Sequence, residues 1–169
     1  MNLTIKQQRF CARYLIYMDA TSAAKEAGYV KNAAPPETGY YTYALLCPIQ
    51  NDLFYVGKGQ KNRVFQHKNQ SGNRFKVERV AAIKEAGLDI EYLILSKHES
   101  EIAAYEAEND LLAAIGYQNL TNISPAEAKR NRKLGRNRGS WGFLEPMDSF
   151  DGVQEWAIRS LELLRPYIG

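Results

Sequence analysis

The sequence predicts an α+β domain: a small three-stranded antiparallel sheet flanked by helices, with a short helical segment before it and one helix after it. Three observations lead there. Two β-rich runs, residues 40–47 and 53–56, flank the turn-forming Pro48-Ile49-Gln50-Asn51-Asp52 and read as an antiparallel hairpin. A third β-rich run covers residues 90–95. Glycines at 87 and 116 stop two helical stretches, which gives the order β, β, α, α, β, α.

Each element has its own warrant. Residues 5–18 carry Phe10, Tyr14 and Met18 at i, i+4 and i+8, the spacing of an amphipathic helix. Asp19-Ala20-Thr21-Ser22 supplies turn and N-cap chemistry for a second helix over 23–27, which Gly28 ends, and together the two make a helix-turn-helix outline. Ala33-Ala34-Pro35-Pro36 then interrupts, because consecutive prolines cannot occupy a helix interior. The expected units are therefore residues 1–32, a linker over 33–38, a core over 39–124 and a C-terminal part over 125–169. Within the core, Gly57-Lys58-Gly59 is expected to end the second strand, and residues 61–67, 73–86 and 100–115 read as helices. Val153, Trp156, Ala157, Leu161 and Leu164 form one stripe of a last helix, whose first reading is core docking and whose second is homodimer formation. No internal repeat is visible.

Composition narrows the class. Among 169 residues, 45% are hydrophobic and 24% charged, ordinary globular values that argue against disordered, collagen-like and coiled-coil chains. The longest apolar stretches, such as residues 43–49, fall far short of the roughly 18 to 20 residues that a membrane span needs. The first residues lack a basic end followed by an apolar region, so no secretory signal and an intracellular protein are expected. Cys11, Cys47, His67 and His98 are the only residues of their types and show no metal-finger spacing, which argues against structural zinc. The net charge of +3 hides a strong division: residues 1–32 sum to +3, 33–124 to −2, 125–139 to +5 and 140–169 to −3. Residues 53–79 hold seven Lys or Arg against the single Glu78, a pattern suited to a polyanion.

The candidate chemistry begins with Glu108. On a helical wheel of residues 101–115, Ala104, Tyr105, Leu111, Leu112 and Ile115 share one face, and Glu108 lies near its centre. A carboxylate aimed at a core must be neutralised, paired or bound to a cation, unless its head reaches solvent from the edge of that face. Glu108 is thus a metal-ligand or ion-pair candidate. Arg63 and His67, four apart on a short helix, are expected to project from one face. Tyr43 and Tyr55 stand on adjacent strands of the hairpin, where either core packing or chemistry suits them.

Tyr41-Thr42-Tyr43, Tyr55-Val56-Gly57-Lys58-Gly59, Arg63, His67, Glu108 and Asn122 in Leu120-Thr121-Asn122 together resemble the GIY-YIG nuclease superfamily. The closest branch resembles the ankyrin-repeat and LEM-domain nucleases, and the resemblance covers about residues 39–123. The first triplet reads Tyr-Thr-Tyr without its glycine, so Tyr43 takes the part of the first catalytic tyrosine; His67 stands where many branches have a tyrosine. The resemblance implies a metal-dependent DNA endonuclease. Glu108 would hold one Mg²⁺ or Mn²⁺, hard cations that prefer oxygen and retain waters. Tyr43 would be the general base and Tyr55 would position water or phosphate, with the two roles exchangeable. Lys58, Arg63 and the metal would supply the positive field that a phenolate needs, and Arg63 would grip the scissile phosphate. His67 would orient Tyr43 or contact phosphate, Asn122 would close the site by a hydrogen bond, and Gly57 and Gly59 would permit close backbone approach.

A second resemblance joins Leu3-Thr4-Ile5-Lys6-Gln7-Gln8-Arg9-Phe10 and Asp19-Ala20-Thr21-Ser22-Ala23-Ala24-Lys25-Glu26-Ala27-Gly28-Tyr29 to the N-terminus of phage terminase small subunits. It implies a phage or prophage protein acting in the cytoplasm of a bacterial host, and it supplies the alternative function, a non-catalytic DNA-binding adaptor. The nucleic-acid contacts expected are Lys58, Lys61, Arg63, Lys68 and the basic run Lys129, Arg130, Arg132, Lys133, Arg136 and Arg138, which reads as a phosphate-tracking arm. The expected partner is duplex or branched DNA, with RNA left open and no membrane.

Overall fold

The computed structural model describes residues 3–69 and 73–122. Along the chain run α1 (Ile5–Tyr17), α2 (Ala20–Ala27), β1 (Tyr40–Cys47), β2 (Asp52–Gln60), a 3₁₀ segment (Lys61–Asn69), α3 (Arg74–Glu85), β3 (Glu91–His98), α4 (Glu101–Ile115) and a last 3₁₀ turn (Tyr117–Asn119). The strands form an antiparallel sheet in the order β2-β1-β3, so the class expected from sequence is the class found. The C-terminal helix and the basic arm expected beyond residue 124 lie outside the described residues. Among the described residues no helix is long and apolar enough to cross a membrane.

Local chemistry sets the helix limits. Thr4 caps α1 in a reciprocal box with Gln7, and Asp19 accepts from the Ser22 N–H, so α2 begins at Ala20, three residues earlier than expected. Gly28 closes α2 in the left-handed conformation. Asn73 caps α3 and Ser100 caps α4, where the sequence reading put those starts. β3 extends past Leu95 to His98 because β1 offers it partners back to Tyr40.

Two cores sandwich the sheet. On one face Ala44, Leu46, Leu53, Val56, Leu93 and Leu95 pack with α1, α2 and α4, through Phe10, Tyr14, Leu111 and Ile115. On the other, Tyr41, Tyr43, Leu45, Phe54 and Tyr92 pack with Val64 of the 3₁₀ segment and with Val80 and Ile83 of α3. Alternation along β1 separates the two sets, as the period of a strand demands.

Candidate active site

The second face of the sheet carries the tyrosines. Tyr43 of β1 stands opposite Gly57 of β2, and Tyr41 stands opposite Gly59. A Cβ on Gly57 would lie 2.8 Å from both Tyr43 Oη and a Tyr55 ring carbon, and one on Gly59 would lie 2.8 Å from Arg63 Cβ. Contrary to the expectation from sequence, Gly57-Lys58-Gly59 does not end the strand. It lies inside β2, which continues to Gln60, and its glycines clear the space that the tyrosines and Arg63 occupy. A bulge sets the phase: Leu45 opposes Tyr55 while Leu46 opposes Leu53, so Phe54 is the extra residue. Phe54 and Tyr55 thereby both reach the Tyr43 face.

The 3₁₀ segment brings His67 to that face. Three residues per turn put Val64 and His67 on its buried side and Arg63 and Gln66 on its exposed side. Arg63 and His67 accordingly do not share one face, the expectation that an α-helical pitch would carry; Arg63 Nη1 instead donates to Gln66 Oε1 at 2.7 Å. His67 is 1% exposed. Its Nε2 lies 2.5 Å from Tyr43 Oη and its Nδ1 lies 3.1 Å from Lys76 Nζ. The His67 ring packs against Tyr43 and Tyr55, with centroids 5.4 and 5.0 Å away. Tyr41 is differently employed: its hydroxyl donates to Lys61 O at 2.7 Å and accepts from the Val64 N–H at 3.1 Å, which ties the 3₁₀ segment to β1.

Electrostatics couples these groups. Burial drives the His67 imidazole down to about 3, helped by the cations Lys76 and Arg63, so the ring is neutral at physiological pH. Burial raises the Tyr43 hydroxyl far above its ordinary value; Tyr55 and Glu108 add to the rise, and Arg63 opposes it. Tyr55 is raised for the same reasons. Lys76 is lowered, chiefly by burial and then by Arg63.

The free edge of β2 holds the remaining groups. Asn122 Oδ1 accepts from the Val56 N–H at 2.9 Å and its Nδ2 donates to Val56 O at 2.7 Å, a two-bond clamp. Thr121 donates through N–H and hydroxyl to Phe54 O at 2.7 and 2.8 Å. Two residues beyond Val56, the Lys58 N–H faces Glu108. Glu108 is half-buried on α4, and desolvation raises its carboxyl above the usual range against the pull of the Lys58 ammonium and N–H. Tyr105, expected on the same apolar face, is 55% exposed.

Tyr43, Tyr55, Arg63, His67 and Glu108 are thus within one electrostatic neighbourhood. The Lys58 ammonium pairs with Glu101. Lys61 is exposed at the start of the 3₁₀ segment, and Lys68 turns to Asp89 at 3.5 Å. Among the described residues no group of three or more His, Cys, Asp or Glu could enclose a metal. The basic run Lys129–Arg138 lies outside the described residues. Lys76 is the residue that the sequence reading did not single out. Its signal was available: Lys76, Val80 and Ile83 at i, i+4 and i+7 are the buried stripe of α3, so this lysine lies on an apolar face as Glu108 does.

Residues 40–140 match the family model of the LEM-3-like GIY-YIG domain. The chain belongs to this family. The GIY-YIG match begins at the first residue of β1 and takes in both tyrosines, Arg63, His67, Glu108 and Asn122, as well as the basic run. It makes the function nuclease-type. Residues 3–40 match the terminase small subunit model, a span that covers α1, α2 and the connection to β1. No curated protein and no solved structure matches.

Proposed function

We propose that this GIY-YIG domain is a divalent-metal-dependent endonuclease that hydrolyses phosphodiester bonds in DNA, encoded by a phage or prophage and acting in the cytoplasm of its bacterial host. The observation that carries the reading is that Tyr43 and Tyr55 meet at the space cleared by Gly57, Arg63 borders the space cleared by Gly59, and the charges of Arg63 and Glu108 both bear on the two tyrosines. The terminase small subunit match supports the phage origin.

The donor chemistry suits one small hard cation. Glu108 is in none of the ion pairs of the described residues and accepts from the Lys58 N–H, and a single carboxylate completed by waters and phosphate oxygens is coordination that Mg²⁺ or Mn²⁺ accepts. Such an ion, when bound, neutralises phosphate charge and lowers the pKa of a water. Arg63, exposed and bonded to Gln66, binds the scissile phosphate through its planar guanidinium. Tyr43 serves as the base only as a phenolate: its hydroxyl proton must first leave to solvent, a loss that burial opposes and that Arg63 and a bound cation would favour, and its Oη then takes a proton from the attacking water. Tyr55 orients water or phosphate beside it. Asn122 holds β2 in place, while Lys61 and the basic run Lys129–Arg138 track neighbouring phosphates.

The test incubates the purified chain with supercoiled plasmid, branched DNA and RNA in Mg²⁺, Mn²⁺ or EDTA. The expected result is DNA cleavage with metal and none in EDTA, abolished by Glu108→Gln in a variant that melts like wild type. Cleavage in EDTA would overturn the metal dependence, and preference for RNA would overturn the substrate. Binding without cleavage under every condition would favour the adaptor that the terminase-like segment suggests.

A further inference from the structure

We infer that Lys76 is a positioning residue of this site: its ammonium donates to His67 Nδ1 and thereby fixes the imidazole tautomer that presents Nε2–H to Tyr43 Oη. The inference rests on the reading of Tyr43 as the group that accepts the proton of water. Lys76 is 6% exposed, and among the described residues it joins no ion pair. A lysine buried without a carboxylate is costly, so its neighbours must supply acceptors. Two do. His67 Nδ1 lies 3.1 Å from Nζ, and the Tyr55 ring centroid lies 5.0 Å away, within cation–π range.

The consequence follows from proton counting. An ammonium has three donors and no acceptor, so Nδ1 must offer its lone pair. A neutral imidazole then carries its single hydrogen on Nε2, directed at Tyr43 Oη 2.5 Å away. Tyr43 oxygen accepts that hydrogen bond, and a phenolate there accepts it more strongly. Without Lys76 the ring can hold its hydrogen on Nδ1. Nε2 would then accept from the Tyr43 hydroxyl and keep Tyr43 a donor, the wrong polarity for a base.

Nitrogen-15 NMR of histidine-labelled protein reads the tautomer directly, since His67 and His98 are the only two histidines. The wild-type chain should show His67 hydrogenated at Nε2. Lys76→Met should populate the Nδ1–H form and lower kcat by roughly 10²-fold with KM unchanged, whereas Lys76→Gln, whose amide can still donate, should retain the Nε2–H form. A wild-type His67 hydrogenated at Nδ1, or Lys76→Met with the wild-type tautomer, would overturn the proposal. So would Lys76→Met with full kcat. Because the spectrum needs no turnover, a wild-type protein that cuts nothing defeats the proposed function while the tautomer still decides the role of Lys76. Should Lys76→Met fail to fold, Lys76→Gln answers: an Nδ1–H tautomer in that variant would also defeat the inference.

Discussion

His67 links stability to pH through its burial. Its folded pKa of about 3 lies below the ordinary 6.5, so at pH 5 the unfolded chain binds a proton that the folded chain refuses. The resulting stability is full above pH 6.5 and is lost as pH falls toward 3, by up to about 1.4 kcal/mol per pH unit. Urea unfolding at pH 7, 6, 5 and 4 should show this loss in wild type and a flatter dependence in His67→Gln; equal slopes would mean that the ring is solvated. Arg63 should behave oppositely, affecting rate without fold. Arg63→Ala is expected to cut kcat by about 10²- to 10³-fold while the melting temperature holds, and an effect confined to KM would make Arg63 a binding residue. Much of this scale was legible. Glu108 stood out as a carboxylate amid Ala104, Leu111 and Ile115, and Lys76 could have been found by the same wheel. The relation of Arg63 to His67 was not legible, because a 3₁₀ pitch leaves no mark in a string that also fits an α-helix.

At the scale of the element, β2 organises the site by what it lacks and by how it is held. Gly57→Ala would put a methyl 2.8 Å from Tyr43 Oη, which can move away only by pressing on or leaving His67 Nε2, 2.5 Å from it. Displacing the proposed base by about an ångström costs about 10²-fold, so this variant should stay folded and lose at least that much kcat. Steady-state kinetics beside a thermal melt checks it, and a fully active Gly57→Ala would show that the tyrosine has room. Asn122 acts on the opposite edge. Asn122→Ala leaves the Val56 N–H and C=O without their clamp, and a loss of about 1–3 kcal/mol in urea unfolding is expected. The β1 alternation was readable in the sequence, since Tyr41, Tyr43 and Leu45 alternate with Thr42, Ala44 and Leu46. The bulge at Phe54 was not, for it depends on which residues of β1 lie opposite, and a single strand does not carry that information. For the same reason Gly57 and Gly59 read as a strand end when they lie inside a strand that continues to Gln60.

At the scale of the molecule, two family matches meet in one core. The helix-turn-helix outline of residues 3–28 was legible from its caps and spacing, but the partner of its apolar face was not, because sequence pattern shows that a face is apolar without showing what covers it. Phe10, Tyr14 and Leu15 pack with Leu46, Leu53, Leu93 and Leu111 of the nuclease-type unit. Polar bonds reinforce the contact. Tyr14 Oη accepts from the Leu53 N–H at 3.1 Å and donates to Leu53 O at 3.2 Å; Tyr29 Oη donates to Leu95 O at 3.0 Å; Gln7 Nε2 donates to Ser96 Oγ at 3.1 Å. Lys31 pairs with Glu91 at 2.8 Å, at the same sheet edge. Removing a buried aromatic costs about 3–5 kcal/mol, and a domain of this size has only about 5–15 kcal/mol in all. Phe10→Ala should therefore lower the unfolding free energy by about 3–5 kcal/mol and leave kcat per folded molecule unchanged, since Phe10 lies across the sheet from Tyr43. A chain that begins at residue 39 should lose the whole covering layer and fail to fold. Circular dichroism and cleavage of the truncated and full chains compare directly: a truncated chain that melts cooperatively and cuts DNA would mean that α1 and α2 are an appendage, whereas an unfolded one makes them part of the nuclease-type unit.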